Sequence, residues 1–182
     1  YCNIQSELIA NSGKNSLDFT VVNWSRLVSI IDQYASTIES FRPKELYKWE
    51  AAKCFQEHWN IDANNFLDML TASLEETSNL LSSNMYFAKG MILAFAEQDP
   101  EGVRSSFRTL FNEQIPLVER LASFSADMTM QLEALNTKNL ESGKHPAKNH
   151  FQDAHAMSVY LALARNSKHY LFKPDLFNEF SQ

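Results

Sequence analysis

The stretch PLVERLASFSADMTMQLEAL, residues 116–135, carries an apolar side chain at Leu117, Leu121, Phe124, Met128, Leu132 and Leu135. The 4, 3, 4, 4, 3 spacing places these residues on one stripe of a helix. It is the seam of a long helix lying almost parallel to a partner, so the fold is expected to be a helical bundle.

Working outward, Asp99-Pro100-Glu101 is a helix start. An aspartate accepts free amide hydrogens, proline at the first turn has none to satisfy, and glutamate complements the helix dipole. A helix through Val103, Phe107, Leu110 and Phe111 follows. The preceding segment, residues 85–98, is apolar nearly all round (Met85, Tyr86, Phe87, Met91, Ile92, Leu93, Phe95), which predicts the central, buried helix. Further upstream, Trp24, Leu27, Val28, Ile31, Tyr34, Ile38 and Phe41 form a helical stripe that Arg42-Pro43 is expected to end. Pro43 then opens a second helix with Leu46, Trp49, Ala52, Phe55 and Trp59 inward and Tyr47, Cys54 and His58 at the margin. Asp62 is the expected N-cap of a third, carrying Phe66, Met69, Leu70, Leu74, Leu80 and Leu81 before a turn at 82–84.

Downstream of the seam, residues 136–149 break the pattern with Gly143 and Pro146. Residues 152–165 read as a last helix, and His169-Tyr170-Leu171-Phe172 as a short strand or extended edge before Pro174. The fold class predicted is all-α: a helical bundle of about six to seven helices with a short extended segment near the C-terminus. No repeat of 20–50 residues is evident, which disfavours a solenoid.

Composition agrees with a folded domain. The 182 residues are 45% hydrophobic and 21% charged, which excludes disordered, collagen-like and rod-like chains. The net charge of -6 is uneven: residues 1–141 hold eleven Lys and Arg against nineteen Asp and Glu, residues 142–182 five against three. Four histidines, His145, His150, His155 and His169, lie in that basic tail. The expected organisation is a loose leader over 1–20, a bundle over 21–140, and a tail over 141–182 that begins or links to a further domain. No apolar run approaches the length of a membrane span, and no secretory leader or disulfide framework is visible, so a cytoplasmic origin is expected. The chain reads as a piece of something longer.

Chemistry-bearing motifs are weak. With four glycines, and with Asn15 and His145 following the Gly13-Lys14 and Gly143-Lys144 pairs, no phosphate loop is formed. The sequence 136–139 lacks the final carboxylate of a guanine-reading motif. Cys54 and His58 are half a zinc site without its other half, better read as a core thiol beside a histidine. Of His150, Asp153 and His155, only the first two could share a helix face. No nucleophile–base pair is signalled, so catalytic, metal and cofactor residues are all expected to be none. Trp49 and Tyr47 among Arg42, Lys44, Lys48 and Lys53 resemble an aromatic-basic surface, although Glu45, Glu50 and Glu57 favour ion pairs over a buried tryptophan.

The run at residues 41–62, FRPKELYKWEAAKCFQEHWNID, resembles the leader region of bacterial McrB-like AAA+ proteins, the NTPase subunits of modification-dependent restriction systems. Blocks at 85–91 (MYFAKGM), 95–104 (FAEQDPEGVR), 151–161 (FQDAHAMSVYL) and 168–173 (KHYLFK) are similar to the same leader. The resemblance implies a modular phage-defence protein. Its N-terminal region would select DNA, its AAA+ motor, here beyond residue 182, would hydrolyse GTP or ATP, and the motor would recruit a nuclease subunit. The chain itself carries none of the motor's nucleotide motifs.

The function expected is a non-catalytic N-terminal module that contributes to DNA target recognition or positions the recognition element against the motor. The alternative is a helical interaction or assembly module with no nucleic-acid contact, which the acidic body favours. Any DNA contact is expected at Arg42, Lys44, Lys48, Lys144, Lys148, Arg165, Lys168 and Lys173, where positive charge matches or exceeds negative.

Overall fold

In a computed structural model the backbone is described over residues 24–171, and within the first helix the side chains at 27, 30, 34–35 and 37–45 are not described. The expected leader over 1–20 and Lys173 lie outside the described residues. The elements are α1 (Trp24–His58), α2 (Phe66–Ser73), a 3-10 turn (Glu75–Thr77), α3 (Ser78–Leu81), β1 (Ser82–Ser83), β2 (Tyr86–Phe87), α4 (Ala88–Gln98), α5 (Pro100–Leu110), α6 (Leu117–Glu141) and α7 (Ala154–Ala164). Among the described residues the protein is therefore all-α apart from one antiparallel hairpin, in which Ser82 pairs with Phe87 and Ser83 with Tyr86. No helix among the described residues is long and apolar enough to cross a membrane.

The break expected at Arg42-Pro43 does not occur in the helix, which runs 35 residues through the proline. A proline in a helix interior removes one backbone hydrogen bond and crowds the preceding turn, at about 3 kcal/mol. The chain does divide there into two compact units, residues 1–42 and 43–182. In the first unit, Trp24, Val28 and Ile31 of the anticipated stripe are about half exposed rather than buried. The division is not near residue 140, because the helix assigned to the tail, α7, is built into the core of residues 43–182 through Val159, Tyr160 and Leu163.

In the second unit Ala52, Phe55 and Trp59 of the expected face turn inward, Trp49 does not, and Ala51 and Tyr47 join them. Ala51, Ala52 and Phe55 are buried and Tyr47 and Trp59 pack against the core, while Trp49 is 63% exposed. A 47, 51, 55, 59 stripe follows the i, i+4 row of a helix, and the aromatic groups of α5 sit opposite it: Phe107 and Phe111 meet Trp59 edge-on at 5.2 and 5.3 Å.

Asn65, not Asp62, caps α2, its Oδ1 accepting from Asp68 N at 3.2 Å. Asp62 instead meets the Arg108 guanidinium. The helix expected from 85 begins only at Ala88, because residues 82–87 turn back as the hairpin and leave Met85 87% exposed. From there α4 is the buried helix anticipated, with Ala88, Met91, Ile92, Phe95 and Ala96 in the core against α2, α5 and α6. The cap of α5 forms as expected, Asp99 Oδ1 accepting from Gly102 N at 2.9 Å. The seam helix α6 buries Phe124 and Met128 and half-buries Leu121, Leu132 and Leu135, with α5 as its main partner. It continues to Glu141, six residues into the stretch expected to be a loop. Residues 169–171 carry no strand and Phe172 lies outside the described residues; among the described residues the paired strands are those of the hairpin.

Candidate functional site: two grooves flanking Glu113

Two surface grooves lie within residues 43–182, joined by a small void. The first, about 400 Å³, has an aromatic floor of Phe55, Trp59, Phe107 and Phe111, with Gln56, Arg108 and Arg165 at its polar edge. Phe55 and Trp59 stack at 4.8 Å between ring centres, 14° from parallel. The helical offset of four residues between 55 and 59 sets one ring over the other, and α5 closes the cluster edge-on. Gln56 Nε2 donates to the Leu163 carbonyl at 3.1 Å, which ties the end of α1 to the end of α7.

The second groove, about 450 Å³, is lined by Leu117, Leu121, Ala154, Leu161 and Tyr170, with Ser158, Lys168 and His169 as its polar members. Tyr170 at its edge is 80% exposed. Leu117 and Leu121, the first two residues of the seam, line this groove, and Leu121 also packs against the core.

Glu113 connects the two. Its carboxylate pairs with Lys168 Nζ at 2.5 Å, Arg165 Nε at 3.6 Å and His169 Nε2 at 3.8 Å. The Lys168 hydrogen bond, followed by the charges of Arg165, Lys168 and His169, holds this carboxyl below the usual range. Arg120 lines the void beside Glu113; it is buried, its Nη1 donates to the Leu110 carbonyl at 2.9 Å, and its Nε is buried without a partner. Arg108, Arg120, Arg165 and Lys168 line the grooves and the void, with Glu113 paired to Arg165 and Lys168 and Asp62 paired to Arg108.

The residues expected to contact DNA fall into separate environments. Arg42 and Lys44 are on α1, with side chains outside the described set, and Lys48 lies half-buried over the Tyr47 ring at 5.6 Å. Lys144 and Lys148 are exposed on the loop after α6. Arg165 and Lys168 share Glu113. Sequence reasoning missed Glu113 and Arg120 as functional candidates, because nothing local marks a carboxylate that gathers partners from 52–56 residues away.

The histidine and cysteine clusters are structural in their contacts. Cys54 Sγ donates to the Ala72 carbonyl at 3.3 Å, and His58 Nδ1 lies 2.9 Å from the Cys54 carbonyl. Asp153 caps α7 by accepting from Ala156 N at 3.0 Å and also accepts from the Tyr86 hydroxyl at 2.8 Å. Burial, reinforced by that carboxylate, pushes the Tyr86 hydroxyl well above its ordinary value. His155 Nε2 is 3.0 Å from the Leu80 carbonyl. His150 Nδ1 accepts from Gln152 N at 2.9 Å, and desolvation lowers its pKa, with Asp153 opposing. Among the described residues no group of three or more His, Cys, Asp or Glu side chains is placed to hold a metal.

The fold thus defines an all-α protein whose second unit carries an aromatic groove, an apolar groove and a cationic divide between them. Comparison with protein families, with curated proteins and with solved structures finds no match for this chain.

Proposed function

We propose that the chain is a non-catalytic binding module that docks an amphipathic helix of a partner polypeptide in the groove between α6 and α7. The observation that carries this reading is the apolar lining of Leu117, Leu121, Ala154, Leu161 and Tyr170, of which Leu117 and Tyr170 are exposed. A groove between helices whose rim alone is polar suits the apolar stripe of an incoming helix, with Lys168 and His169 placed for its acidic flank. The setting that the resemblance suggests is the N-terminal region of a McrB-like AAA+ protein, where the incoming helix would belong to the motor or to a subunit it recruits.

The second reading, DNA contact, draws support from exposed Lys144 and Lys148. Arg165 and Lys168 favour it less, since Glu113 already satisfies part of their charge. Two titrations of the full chain decide between the readings. Amphipathic helical peptides selected from a display library should bind with little salt dependence, perturb Leu121 and Tyr170 in NMR spectra, and lose binding in Leu121→Asp. Duplex DNA, methylated or not, should bind negligibly. The docking reading fails if DNA binds with a steep salt dependence and a Lys144/Lys148/Lys168 triple alanine variant lowers the slope of log affinity against log salt by about one unit for each phosphate-bound lysine replaced.

A further inference from the structure

The aromatic groove is distinct from the docking surface and has its own chemistry. Its floor is built from rings already fixed by one another: Trp59 stacks on Phe55 and meets Phe66, Phe107 and Phe111 edge-on, so an incoming ring finds an ordered platform. Its edge is cationic. Arg165 directs only Nε toward Glu113, at 3.6 Å, and Arg108 directs only Nη2 toward Asp62. The other nitrogens of both guanidiniums make no hydrogen bond among the described residues, although each group carries five N–H donors.

Glu113 takes up only part of the charge of Arg165, because Lys168 is its nearest partner, and Asp62 engages Arg108 through one nitrogen. A volume of about 400 Å³ falls in the range of small-molecule sites and holds one or two rings with a short side chain. A neutral apolar ligand would leave the guanidinium donors unused, and a cationic one would be repelled. An anion without a ring would leave the platform bare.

We propose that this groove binds a small aromatic carboxylate, its ring against Trp59 and Phe111 and its carboxylate on the free edge of the Arg165 guanidinium, with Arg108 as the second cation. The planar fork of arginine matches the two carboxylate oxygens, which gives the site an orientation as well as a charge preference.

The test uses the full chain with Trp24→Phe and Trp49→Phe, two exposed positions, which leaves Trp59 as the sole tryptophan reporter. The probes are 3-phenylpropanoate, its neutral amide and butyrate. The expected result is saturable quenching by 3-phenylpropanoate with Kd of about 1 mM, in line with ~0.3–0.4 kcal/mol per heavy atom. The amide and butyrate should each bind about tenfold more weakly, and Arg165→Gln and Arg108→Gln should each weaken the acid by about three- to tenfold without weakening the amide. Thermal unfolding of each variant confirms that it is folded. Equal binding of acid and amide, an unchanged Kd in both arginine variants, or no saturable quenching up to ~20 mM would overturn the proposal.

Discussion

Replacing Gln152 by leucine removes the side chain that joins the start of α7 to the start of α4. Gln152 is fully buried; its Nε2 donates to the Ala88 carbonyl at 2.8 Å and the His150 carbonyl at 3.0 Å, and its Oε1 accepts from the Tyr160 hydroxyl at 2.8 Å. Tyr160 is equally buried, and burial raises its pKa well above the ordinary value, so the hydroxyl keeps its proton and needs an acceptor. Leucine leaves that hydroxyl without its partner. At about 1–3 kcal/mol per stranded buried group, the loss should be about 2–4 kcal/mol, or a fall in Tm of about 5–12 °C for a unit of this size.

Tyr160→Phe strands the other half of the pair and should cost about 1–2 kcal/mol. The double variant Gln152→Leu/Tyr160→Phe strands neither, so its loss should fall short of the sum of the single losses by about 1 kcal/mol. Urea unfolding followed by both tyrosine fluorescence and far-UV circular dichroism measures all four corners, with coincident transitions confirming that one unit is being read. Additivity to within ~0.3 kcal/mol, or a Gln152→Leu variant as stable as the parent, would refute the idea that this network fixes α7 on α4.

The lowered pKa of His150 sets a pH dependence: the unfolded chain takes the proton first, so stability is intact above the ordinary value of 6.5 and declines as pH falls below it, until the folded protein is protonated too. His150→Asn, which keeps an acceptor for Gln152 N, should flatten the stability profile between about pH 7 and 5, and an unchanged slope in unfolding titrations would count against the assignment. On α1, Phe55→Ala should cost about 3–5 kcal/mol whereas Trp49→Ala should change stability by less than about 0.5 kcal/mol, and chemical unfolding showing the reverse order would place Trp49 inward after all. Gly102→Ala should destabilise by about 1 kcal/mol, because the added methyl meets the Asp99 carboxylate that caps α5 and the Gln131 amide bonded to it; thermal melts showing a gain from helix propensity would contradict that contact.

Local patterns were legible where they act locally. The start of α5 at Asp99-Pro100 and the seam of α6 follow from chemistry within one or two turns, and the apolar segment 85–98 marks the buried helix, which begins at Ala88. Three readings failed because the deciding partner is distant in sequence. Trp49 is apolar and correctly spaced, yet Phe107 and Phe111 select the neighbouring row with Trp59. The segment 85–87 has helix-compatible apolar residues, yet Tyr86 is held by Asp153 and packs on Phe151 at 5.8 Å, which fixes it in the hairpin. The tail helix α7 has no local mark of its place in the core, which Gln152 and Tyr160 secure against α4. Phe151 itself adopts φ 56°, a left-handed conformation that a bulky residue rarely takes. It is sustained by the Asn149 side chain accepting from its amide and by His150 accepting from Gln152.

By itself, then, the sequence determined the fold class and the main helices, because apolar periodicity and capping are short-range properties of the chain. The tertiary structure alone decided which face of α1 is inward, that α7 belongs to the core rather than to a separate tail, and that Glu113 gathers Arg165, Lys168 and His169 between two grooves. Those outcomes depend on contacts between residues tens of positions apart, and the free energy of such contacts is set only when packing has removed water from both partners.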